Sequence, residues 1–131
     1  MSTRDKYMKD YGISHEDGKK IVEYCRTATG YDQQLILQAA QEVYPEIAPY
    51  LFLNLTTGMG YDRMGITMMQ RKDFQGYRRK TIETYDRYMA CNGKPITYTL
   101  RYNKEKLKKY IDVRIKKLEK EIKILKEIKI E

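Results

Sequence analysis

The sequence predicts an all-α protein: a small helical bundle with a helix-turn-helix-like unit and a long, coiled-coil-like C-terminal helix. Three observations carry this expectation. Apolar residues recur at three- and four-residue steps along most of the chain. Gly and Pro interrupt it at helix-length intervals. The one strand-like alternation, ITYTLRY at residues 96–102, has no second strand of comparable quality to pair with. Residues 1–92 should form the helical domain, with the helix-turn-helix-like unit at about 58–90. Residues 93–102 read as a linker or short strand, and 103–131 as the C-terminal helix.

The first twelve residues are polar with scattered tyrosines and read as a frayed arm. Ser14 suits the cap of a first helix running to about Ala28, with Asp17 three residues on. Ile21, Val22 and Cys25 form its inner face, Gly18 weakens its first turns, and Gly30 ends it. Asp32 can cap a second helix, Gln33 to about Tyr44, burying Leu35, Ile36, Ala39, Ala40 and Val43. Pro45 cannot continue that helix but suits the first turn of a third, which should run to about Thr57. Ile47, Ala48, Leu51, Phe52 and Leu55 are the richest apolar cluster and belong at the centre of the core. Gly58 is a left-handed stop. A short helix at Tyr61–Met64 and a turn at Gly65 should follow, with Tyr61 and Met64 against Phe74 and Tyr77. The glycines of Gly58–Ile66 lack the spacing of a nucleotide-binding loop.

The longest amphipathic stretch is Thr67–Ala90, with Thr67 and Gln70 at capping-box spacing. Phe74, Tyr77, Thr81, Ile82, Tyr85 and Tyr88 make its apolar stripe. Lys72, Gln75, Gly76, Arg79 and Glu83 fall on the other side, which should face outward. Lys and Arg meet phosphates, and Arg and Gln read base edges, so this face suits the DNA major groove. The plainer reading of the same pattern is a core helix with a solvated charged face. Gly76 would sit in the open, where it could let a backbone or a phosphate approach, or be a tolerated surface substitution.

Asn103 can cap the last helix, Lys104 to about Ile130. Ile111, Ile115, Leu118, Ile122 and Leu125 follow 4-3-4-3 spacing. With Ile115 and Ile122 at a and Ile111, Leu118 and Leu125 at d, the pattern favours a parallel two-stranded coiled coil. Arg114 would face Glu119 of a second copy, and Glu121 would face Lys126, both opposite in sign. Lys108 and Lys129 occupy the flanking a positions and keep the seam short. Packing on its own domain is the alternative for this helix.

The stretch GMGYDRMGITMMQRKDFQGYRRKTI resembles the C-terminal part of ArpU-like and RinA-like phage transcription regulators, which look like sigma-factor region 4. Gly60-Tyr61-Asp62, Phe74, Tyr77-Arg78-Arg79-Lys80 and Ile82 carry the resemblance, over about a quarter of the chain. It implies a DNA-binding transcription regulator of prophage or mobile-element origin. Carried over by position, Arg71, Lys72, Gln75 and Arg79 would face the groove. Arg78 and Lys80 would flank them at phosphates. Arg78, close to the apolar stripe, could instead pair with an acid in the body.

The net charge of +8 over 131 residues favours a polyanionic partner and excludes an acidic DNA mimic. The two cysteines, Cys25 and Cys91, have no metal-ligand spacing and read as free thiols in a reducing compartment. The N-terminus has no signal-peptide core, and no apolar run approaches the ~20 residues needed to span a bilayer, so a cytoplasmic location is expected. The single histidine, His15, has acidic neighbours that suit a helix start. No catalytic set, metal site or cofactor is expected, so the chain reads as a non-enzyme. A tyrosine nucleophile would need several separate basic groups around Tyr85 or Tyr88. The first expectation is therefore a duplex-DNA-binding regulator, with a homodimer through its tail. The second is a phage-encoded inhibitor of a host defence nuclease (anti-CRISPR-like) or of host RNA polymerase, suggested by the thirteen tyrosines. A virion component held by the tail ranks third.

Overall fold

A computed structural model describes residues 2–94, 96 and 104–129, apart from the side chains of 104–107, 109, 110, 114 and 129. The regular elements among the described residues are all helices or 3-10 turns, with no strand among them. They divide into two units, Met1–Tyr98 and Thr99–Glu131.

The first unit holds four α-helices: α1 His15–Thr27, α2 Gly30–Val43, α3 Ala48–Thr57 and α4 Arg71–Cys91. Ser14 caps α1, its hydroxyl accepting the Asp17 amide at 3.1 Å. The boundary at α2 differs from expectation. Helix α1 ends at Thr27 with Ala28 extended, and Gly30, at φ 58°, opens α2. Asp32 therefore lies inside the first turn. Its carboxylate accepts the Tyr24 hydroxyl at 2.8 Å and Lys94 Nζ at 3.4 Å. Pro45–Ile47 forms a 3-10 turn before α3, and Gly58 ends α3 in the left-handed region as expected.

Helix α4 is the pillar of the unit. Its N-terminal half sends Phe74 into one apolar cluster, with Ala40, Ile47, Ala48, Leu51 and Ile66. Its C-terminal half sends Ile82, Tyr85 and Met89 into a second, with Ile13, Ile21, Cys25, Leu35, Ile36, Ala39 and Leu55. Phe52, expected at the centre, is half-buried at the edge of the second cluster. The buried hydroxyls on α4 are satisfied locally: Thr81 and Thr84 bond back to the Tyr77 and Lys80 carbonyls at 2.8 Å. Tyr85 reaches α2, donating to the Asp32 carbonyl at 3.0 Å. Burial pushes the Cys25 thiol up to about 12, and both cysteines are free.

Helix α4 begins three residues later than a cap at Thr67 implied, and Gln70, at the cap position, makes no side-chain cap. The intervening residues are engaged elsewhere. Ile66 is buried, and the Met69 carbonyl accepts the Tyr61 hydroxyl. The short element before α4 is a single 3-10 turn, Tyr61–Met64, with Gly65 left-handed after it. Tyr61 packs on Phe74 at 5.7 Å between ring centroids, as the spacing implied.

The largest departure is at the N-terminus. The expected frayed arm forms two 3-10 turns, Thr3–Asp5 and Met8–Tyr11, and it packs on α4. Gly76, expected in the open, is buried beneath it. A Cβ at that position would stand 2.8 Å from both Arg4 Cα and the Thr3 carbonyl oxygen. Glycine in a helix interior is about 1 kcal/mol worse than alanine. Here it allows backbone to lie directly on backbone.

The second unit contains α5, Lys104–Lys129. Ile115, Leu118, Ile122 and Leu125 of the expected seam are exposed, as are Val113, Ile124 and Ile128, while Ile111 is half-buried. Residues 97–103, including most of ITYTLRY and the expected Asn103 cap, lie outside the described residues, as does the Arg114 side chain. No helix among the described residues is long and apolar enough to cross a membrane.

Gly76→Ala sets a helix gain of about 1 kcal/mol against a backbone collision. The bundle should stay folded while the arm lifts off. Limited proteolysis after Arg4, Lys6 and Tyr7 should then become faster than in the wild type. Unchanged cleavage rates would show that the arm does not rest on Gly76.

Candidate nucleic-acid interface and the adjoining basic cavity

The expected interface residues all lie on α4, but they divide into an outward group and an inward one. Arg71 and Lys72 are exposed in its first turn. Arg71 pairs with the exposed carboxylate of Asp62 and lies over the Tyr61 ring. Lys72 makes no hydrogen bond or ion pair among the described residues. Gln75, one turn on, is half-buried and faces a cavity.

The inward group begins with Arg79. Its Nε donates to the Lys6 carbonyl at 2.6 Å, its Nη2 reaches the Arg4 carbonyl at 3.2 Å, and its guanidinium lies 5.0 Å from the Tyr7 ring centroid. Arg79 thus clamps the arm and does not present itself to a groove. Hydrogen bonds to a charged donor are worth about 1.5–3 kcal/mol, and they add to the packing of Met8 and Tyr11 on the core. Arg4 adds a second tie, 3.5 Å from Asp73.

Arg78 is half-buried, and its partner is an amide, not the acid the sequence suggested. Its Nε donates to Asn54 Oδ1 at 2.6 Å, while Asn54 Nδ2 donates to the Met59 carbonyl at 2.8 Å. This chain ties α4 to the end of α3. Burial lowers the Arg78 pKa, and the nearby charge of Arg26 lowers it further. Lys80 is half-buried, 3.7 Å from Glu83 and 5.3 Å from the Tyr11 ring centroid. Glu83, expected outside, is buried between Lys80 and Arg87, which it meets at 3.8 Å. Tyr11 beside it has its hydroxyl buried without a partner. Its pKa is raised, first by burial and then by the charge of Glu83.

Between the arm, α1 and α4 lies a cavity of about 680 Å³. Lys9, Lys19, Arg26, Arg78 and Arg79 line it, against one acid, Glu23. Sequence reading missed Arg4, Lys9, Lys19, Arg26 and Asn54. Each sits on an element that periodicity assigns to solvent, to core or to an arm. The one available signal was Gly76, a helix-weakening residue in the middle of an otherwise regular amphipathic helix.

No family model, curated relative or solved structure matches the chain.

Arg78→Ala removes the donor from the buried Asn54 Oδ1. An orphaned buried acceptor costs about 1–3 kcal/mol, and urea unfolding should show a loss of that size. A variant as stable as the wild type would mean that Arg78 does not brace α3 against α4.

Proposed function

We propose that the chain binds duplex DNA through the N-terminal end of α4, as a phage-type or mobile-element transcription regulator. The observation that carries this reading is Lys72, exposed and without an internal partner in the first turn of α4, next to the exposed Arg71. Recognition helices of helix-turn-helix proteins touch bases with their N-terminal residues, so a helix covered farther along remains suited to the task. Gln75, one turn on, is half-buried at the cavity and leaves the base-reading set. Arg78 and Arg79 leave the contact set, because they brace α3 and the arm. Lys80, tied to Glu83, can reach a phosphate only as a flanking group.

The resemblance of residues 58–82 to ArpU-like and RinA-like regulators points the same way, as does the net charge of +8. Dimerisation through α5 fits this role, since two copies read two half-sites. Its exposed Ile115, Leu118, Ile122 and Leu125 would supply the seam. An inhibitor of a host nuclease or polymerase is the second reading. The exposed tyrosines Tyr7 and Tyr31, at 57% and 46% accessibility, favour it as contact groups.

A mobility-shift titration on random duplex DNA at several salt concentrations tests the first reading. Affinity should fall steeply with salt. Lys72→Ala should weaken binding on all sequences and lower the log–log salt slope by about 1. Absence of binding at low salt would overturn it. Retention of a host nuclease or polymerase after nuclease treatment would then support the second.

A further inference from the structure

The cavity between the arm, α1 and α4 is polarised in a way that no part of the DNA reading uses. Arg26, Arg78 and Arg79 enter it from two helices, with Lys9 and Lys19 at its margin. None of these five cations forms an ion pair with a carboxylate among the described residues. Glu23, the one acid in the lining, lies beyond ion-pair distance of all of them. Arg78 uses Nε on Asn54, and its two terminal nitrogens make no hydrogen bond among the described residues. They are not sealed from solvent either, since the Tyr11 hydroxyl is the one buried unpaired side-chain atom found there.

Arg78 and Arg79 are partly buried, whereas Lys9, Lys19 and Arg26 are exposed. A half-buried guanidinium such as Arg78, with Arg26 and Arg79 near it and no anion, is unfavourable. An anion placed between Arg26 and Arg78 would relieve both burial and mutual repulsion. The guanidinium fork matches a phosphate or carboxylate with paired N–H groups. A single carboxylate would leave most of the surplus charge uncompensated, whereas a phosphate monoester brings up to two negative charges. The rest of the lining is different in kind. Met8, Ile13, Val22 and Ile82 form an apolar wall, with Tyr7 at the arm side. The volume, about 680 Å³, falls in the ordinary range for small-molecule sites.

We propose that this cavity is a binding site for a small phosphate monoester with an apolar or planar body, of nucleoside monophosphate size. The phosphate lies between Arg26 and Arg78, and the body lies against Met8, Ile13, Val22 and Ile82. Because the arm forms one wall and Arg79 clamps that arm, ligand and arm stabilise each other. The site stands apart from Arg71 and Lys72 and does not depend on DNA binding.

Thermal unfolding of the full chain at constant ionic strength tests this, with inorganic phosphate, thymidine monophosphate and thymidine as probes. Both phosphate-bearing probes at millimolar concentration should raise Tm, the nucleotide more than inorganic phosphate. Thymidine should leave it unchanged. Arg26 is exposed and outside the core, so Arg26→Gln should fold normally and weaken nucleotide binding by roughly 10-fold or more. Lys120→Gln, an exposed cation on α5, should respond like the wild type. The proposal is overturned if neither phosphate-bearing probe shifts Tm. It is equally overturned if thymidine shifts Tm as much as the nucleotide, or if Arg26→Gln responds as the wild type does.

Discussion

The close approach of the N-terminal backbone to α4 at Gly76 is the constraint on which the rest of the first unit depends. Two chain segments can lie this near only where no side chain intervenes, and Gly76 supplies the gap. Arg79, one turn on, then locks the arm by donating to the Lys6 and Arg4 carbonyls. Met8 and Tyr11 of the arm pack against the second apolar cluster, and these hydrogen bonds add to that attachment. That attachment in turn closes one side of the basic cavity and brings Lys9 to its margin.

This geometry changes what the positive charge of α4 can do. A helix of this composition, viewed alone, presents one continuous cationic side. In the fold, the arm covers the middle of that side, and the cations beneath it acquire internal roles. Arg79 holds the arm, Arg78 holds α3, and Lys80 neutralises part of Glu83. In the first turn of α4, Lys72 is exposed and has no hydrogen bond or ion pair among the described residues. The surplus charge is displaced to the cavity on the α1 side, where five cations face a single acid. The positive charge of α4 therefore lies in two separate places, its exposed first turn and the cavity beneath the arm.

Much of the fold was legible in the sequence because helix boundaries obey local chemistry. Ser14 caps where a hydroxyl before an acidic turn should cap, and Gly58 stops α3 with a left-handed backbone. Phe74, Thr81, Ile82 and Tyr85 are buried because their spacing returns them to one side of the helix. The start of α4 was misplaced because Thr67 and Gln70 satisfy a local rule, while the burial of Ile66 and the Tyr61 hydroxyl on Met69 determine where the helix begins. The arm was misread for a different reason. Residues 3–11 have no helical periodicity, and their docking combines Met8 and Tyr11 packed on the core with carbonyl groups, which every sequence contains. The candidate site was legible as a set of basic residues on α4. The division into outward Lys72 and inward Arg78 and Arg79 arises from tertiary contacts with Asn54 and the arm, far away in the chain.

Nuclear Overhauser spectroscopy on the full chain tests the docking of the arm most directly. The account predicts cross-peaks between the Gly76 α protons and the α proton of Arg4, with dispersed shifts across residues 3–11. Narrow lines at random-coil shifts for those residues, with no cross-peak to Gly76, would contradict it.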